Sequence, residues 1–116
     1  MKGSGMKLLS RAEELVLLAV WGLQENAYGV AVRKYIIRVT ETEWSIGAIY
    51  VPLDRLTREG FLEAIQGEPT PERGGRRKRF YRLTPKGIEA LERLRSVQER
   101  LWSKLPGMAL NGESTQ

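Results

Sequence analysis

Residues 73–87 read Arg-Gly-Gly-Arg-Arg-Lys-Arg-Phe-Tyr-Arg-Leu-Thr-Pro-Lys-Gly, and the rest of the chain falls into order around them. Arg79 to Leu83 carries aromatic and apolar side chains in the short run expected of a strand. Phe61-Leu62-Glu63-Ala64-Ile65 is its expected partner. The connection between them holds Gly67, Pro69, Pro71, Gly74 and Gly75, so residues 61–83 read as a hairpin. Gly74-Gly75 supplies the positive φ that a tight tip demands. Successive strand residues face opposite ways, and Tyr81, with Leu83, is expected to face a core while Phe80 points away. Thr84-Pro85 then opens a helix, threonine as cap and proline where its missing N–H is harmless.

Upstream of the hairpin the sequence predicts three helices. Ser10-Arg11-Ala12-Glu13 is a capping box, and the helix it starts runs to about Gln24 through an almost unbroken apolar stretch. So apolar a helix should be covered on most sides. A second helix, about 29–40, turns Val32, Ile36 and Val39 inward and Arg33, Lys34 and Arg38 outward. A third follows Ser45 as N-cap, with Ile49, Leu53 and Leu56 inward and Gly60 ending it. Its outward residues are Gly47, Ala48, Tyr50, Val51, Arg55 and Arg58. Pro52 lies inside this helix, yet the apolar spacing passes through it without a change of phase. The last helix, about 85–105, carries a stripe of Ile88, Leu91, Leu94, Leu101 and Leu105. Residues 1–7 read as a flexible leader, 8–105 as one domain and 106–116 as a disordered tail.

Composition narrows the function. The 116 residues contain no Cys and no His, which removes disulfides, thiolate chemistry and the commonest general base. Asp54 is the only Asp, no phosphate-binding loop is spelled out, and no apolar run would span a membrane. A soluble, cytoplasmic protein that is not an enzyme, with no cofactor and no metal, is the expectation. The net charge is +5, but residues 73–82 alone hold six Lys or Arg and no acid. Without them thirteen basic residues face fourteen acidic ones, a net of −1. The excess charge is concentrated in the hairpin, as in a footprint for phosphate.

Helix, helix, helix, hairpin, helix is the order of a winged helix-turn-helix: a mainly α fold with a small β-hairpin and a C-terminal dimerisation helix. Small residues at the start of the third helix let its backbone approach base edges in a major groove about 12 Å wide. The basic hairpin would grip the phosphates. Two stretches carry a resemblance as well. Gly47-Ala48-Ile49-Tyr50-Val51-Pro52-Leu53-Asp54-Arg55-Leu56 and the hairpin with its Leu83-Thr84-Pro85-Lys86-Gly87 exit are similar to the recognition helix and wing of the PadR family of bacterial transcriptional regulators. The likeness spans roughly residues 8–105.

That resemblance implies a homodimeric repressor that binds an imperfect palindrome in double-stranded DNA and is released by a small hydrophobic effector. It implies DNA contacts at Ser45, Gly47, Tyr50 and Arg55, and in the wing at Arg73, Gly74, Gly75, Arg76, Arg77 and Lys78. From the residues themselves, Ala48 or Val51 could meet a thymine methyl. Tyr50 could give its hydroxyl to a phosphate or pack against the core. Dimer contacts are expected from Leu15, Leu18 and Trp21 on the first helix and Leu91, Leu94, Leu101, Trp102 and Leu105 on the last, since neither apolar surface has an obvious partner in so small a fold. Trp21 is core or interface, Trp102 interface or ligand wall, and Trp44 an anchor of the third helix against the hairpin. The competing function is a winged-helix module that binds a small molecule or protein and does not read DNA.

Overall fold

A computed structural model describes residues 8–69 and 77–107. The leader 1–7, the tail from 108 and wing residues Arg73, Gly74, Gly75 and Arg76 lie outside the described residues, as does the side chain of Arg77. The chain forms α1 (Arg11–Leu23), a 3₁₀ turn (Gln24–Asn26), α2 (Gly29–Thr40), α3 (Ile46–Arg58), β1 (Leu62–Pro69), β2 (Arg77–Leu83) and α4 (Pro85–Ser103). This is the winged-helix order.

Local chemistry sets the boundaries. Ser10 Oγ accepts the Glu13 N–H at 3.1 Å, while Glu13 Oε1 accepts the Ser10 N–H at 2.8 Å, completing the capping box. α3 ends in a Schellman motif: Gly60 has φ +86°, its N–H reaches Thr57, and the Phe61 N–H reaches Leu56. Thr84 Oγ1 accepts the Gly87 N–H and donates to the Gly60 carbonyl, so one hydroxyl joins the end of α3 to the start of α4. Gly87 cannot carry a side chain here, because a Cβ would run into the Phe61 carbonyl oxygen. The Leu-Thr-Pro-x-Gly exit is therefore a close-packing device.

Leu17, Val16, Val20, Val32, Ile36, Ile49, Leu53, Leu56, Leu62 and Tyr81 form the core among α1, α2, α3 and the hairpin. β1 and β2 run antiparallel with Leu62 opposite Leu83 and Ile65 opposite Phe80, and the register shifts between Gln66 and Pro69. A third edge is added by the segment before α2. Tyr28 bridges Phe80, and the Tyr81 N–H donates to the Ala27 carbonyl at 2.8 Å. The wing is thus stitched to the helical body at its root.

Several expectations need correction. Val39 is exposed, because the inward place in the last turn of α2 is taken by Thr40, whose hydroxyl donates to Ile36 and accepts the Trp44 indole N–H. Trp44 is thereby tied to α2, and its carbonyl accepts from Arg33 Nε at 2.8 Å, so Arg33 is not simply outward. Leu91 is buried in the protomer's own core and has nothing left to offer a partner. α1 is covered on most sides, as expected, and Leu18 and Trp21 stand open on the remaining one. α4 stops at Ser103, short of 105. Leu15 is half-buried against the core and Leu94 half-buried, whereas Leu101 is 62 % and Trp102 58 % exposed, with Leu105 also open.

Candidate nucleic-acid interface

α3 carries its four buried residues, Ile49, Pro52, Leu53 and Leu56, on one side. At about 100° per residue the opposite side is a narrow sector of Gly47, Val51, Asp54 and Arg58, all exposed. Ile46, the first helical residue, is exposed beside it. A Cβ on Gly47 would meet nothing within 4 Å among the described residues, so no contact there requires glycine. The bare backbone faces outward.

The remaining helix residues expected at the site sit on its flanks. Ser45 uses its hydroxyl as the N-cap, accepting the Ala48 N–H at 3.0 Å, and Ala48 is half-buried. Tyr50 is half-buried too, with its hydroxyl end against Gly29 at the start of α2, so packing claims most of its ring. Arg55 does not reach freely outward. Its Nη1 donates to Glu13 Oε2 at 3.1 Å, and Glu13 is a buried carboxylate of α1. Arg58 is the outward cation that no motif singles out, and it makes no ion pair among the described residues. Helical phase already places it outward in the sequence, since it repeats Gly47 and Val51 at i+11 and i+7, but nothing there marked it as a site residue.

On the wing, Lys78 holds its ammonium 4.2 Å from the centre of the Tyr28 ring, a cation–π contact near the start of β2. Phe80 meets the same ring edge-on, with centroids 5.6 Å apart, and its other side closes on Gly67. Phe80 is therefore a packing residue. Tyr81 is buried as expected, and burial raises its pKa above the ordinary 10.0, opposed in part by the nearby Arg79. Arg82 is bound to Glu63 across the hairpin.

The fold matches known proteins. The PadR-like transcriptional regulator family model matches residues 17–93, about two-thirds of the chain. The chain belongs to the PadR-like family. A PadR-like regulator from Bacillus cereus superposes with TM-score 0.67 at 25 % identity, over 87 % of this chain and 92 % of that one. A PadR-like transcription factor from Bacteroides fragilis gives TM-score 0.67 at 23 % identity, covering 78 % and 82 %. A PadR family regulator from Eggerthella lenta gives 0.62 at 24 %, covering 86 % and 82 %. No protein of curated function matches the chain. PadR-like proteins are transcriptional regulators and not enzymes. Among the described residues no helix of this PadR-like chain is long and apolar enough to cross a membrane.

Proposed function

We propose that this PadR-like chain is a homodimeric repressor that reads an imperfect palindrome in double-stranded DNA and is released by a small hydrophobic effector. The observation that carries the DNA reading is the sector of α3 formed by Gly47, Val51 and Arg58, open beside a hairpin whose net charge is strongly positive. Bases would be met by the start and exposed sector of α3, and phosphates by Arg73, Arg76, Arg77 and Lys78. Dimerisation is supported by Leu18 and Trp21 on α1 and by Leu101, Trp102 and Leu105 at the end of α4, large apolar side chains left open in the protomer. A half-open cleft of about 450 Å³ between Trp21, Ile65, Phe80, Leu83 and Ile88, with Gln24, Glu25 and Arg82 also lining it, is a place of suitable volume for a small effector.

The test is titration of wild type and an Arg76→Ala/Arg77→Ala variant against operator and scrambled duplexes at several salt concentrations. The variant should weaken both duplexes by similar factors. It should also flatten the dependence of log K on log salt by about 0.9 for each phosphate that the variant no longer neutralises. A wild type with no sequence preference and no salt dependence would leave the non-DNA module as the better reading.

A further inference from the structure

We propose that Arg55 is a positioning residue rather than a DNA contact: held by Glu13, it fixes how α3 is rotated against α1, and Arg58 is the cation that α3 presents to DNA. This rests on the DNA-binding reading above and refines which arginine serves it.

Glu13 is pinned at both oxygens. Oε1 accepts the Ser10 N–H at 2.8 Å within the capping box, and Oε2 accepts from Arg55 Nη1 at 3.1 Å. The carboxylate side chain is 3 % exposed against 41 % for Arg55, so the buried partner is the one that cannot follow if the pair opens. Withdrawing the guanidinium would break a charge-assisted bond to a buried carboxylate, a larger loss than an exposed phosphate contact returns. The contact also joins residues 42 positions apart, tying the first turn of α1 to the third turn of α3. A guanidinium near a helix N-terminus is opposed by the helix dipole and is stable there because the carboxylate lies between. Arg58 has none of these restraints. It lies in the sector of Gly47, Val51 and Asp54, whereas Arg55 is rotated about 60° towards α1.

The experiment uses a duplex selected from random-sequence DNA by the wild-type protein, a scrambled counterpart, and thermal melts. Arg58→Gln should lower the salt slope by about 0.9 per protomer and leave the melting temperature unchanged. Arg55→Gln and Glu13→Gln should keep the wild-type slope, melt earlier, and lose about tenfold in preference for the selected duplex, one base contact's worth. Glutamine at 13 still completes the capping box, so that variant removes the charge alone. If Arg55→Gln folds poorly, the Glu13→Gln/Arg55→Gln pair, which leaves no buried charge, should melt above it while the tenfold loss persists. A reduced salt slope in Arg55→Gln, or clamp variants that melt early with full sequence preference, would overturn the assignment. A wild type that selects no sequence would instead sink the DNA reading beneath it.

Discussion

The hydroxyl of Tyr50 lies where a side chain on Gly29 would have to be. A Cβ built at Gly29 would strike the hydroxyl and Cζ of that ring, so α2 and α3 touch through a glycine and a tyrosine. This contact sets the spacing of the two helices of the helix-turn-helix. It also accounts for a glycine within α2, where alanine would otherwise favour the helix by up to about 1 kcal/mol.

Gly29→Ala should therefore destabilise the protein, by about 1–3 kcal/mol as for other overpacked sites. Gly29→Ala/Tyr50→Ala should be more stable than the sum of the two single changes, because the collision is gone. Chemical denaturation of the four proteins completes the cycle. Additive behaviour would mean that the helices simply move apart.

Tyr81 makes the alkaline limit of stability specific. Its pKa is raised in the folded protein, chiefly by burial, so the folded state holds the phenolic proton more tightly than the unfolded state. The contribution is present in full below pH 10 and is lost as pH rises past 10 towards the higher folded value. Stability should fall over that window in wild type and fall less in Tyr81→Phe. Equilibrium unfolding between pH 8 and about 11 checks the slope.

Much of this was legible in the sequence, and the reasons are local. Ser10, Ser45, Gly60 and Thr84 act within a few residues of themselves, so the boundaries they set appear in the structure as read. Inward positions on α3 followed from period, and Tyr81 from strand alternation. What escaped were relations between distant residues. Nothing near Arg55 announces Glu13, forty-two positions away. The turn that consumes Trp44 and Thr40 displaced Val39 from the core, although Val39 satisfies the period. Leu91 and Leu101 share a stripe, but α4 meets the core only along its first turns, so one is buried and the other open.

That division of α4 separates folding from assembly. Leu101→Asp should leave the melting of the protomer nearly unchanged while breaking the proposed dimer, since the residue is exposed within the protomer. Leu94→Asp should do both, because its half-buried side chain lines a cleft with Leu9, Phe61 and Val97. Sedimentation at micromolar concentration reads the association state. A 13.2 kDa species for wild type, whose chain has that mass, would remove the dimer.

Gly47 separates reading from folding most sharply. It sits in the first turn of α3, where a Cβ would touch nothing among the described residues, so Gly47→Ala should carry no steric cost. The helix should gain up to about 1 kcal/mol, since alanine is the better helix former. Against DNA the same methyl would stand between the backbone and the base edges that the proposed docking brings together. The variant should thus melt slightly above wild type and bind the selected duplex less tightly. Scrambled duplex, held through phosphates, should be bound as before, with an unchanged salt slope. Melting curves and titrations on the two duplexes decide it. Equal losses on both would place Gly47 outside the groove and move the reading face elsewhere on α3.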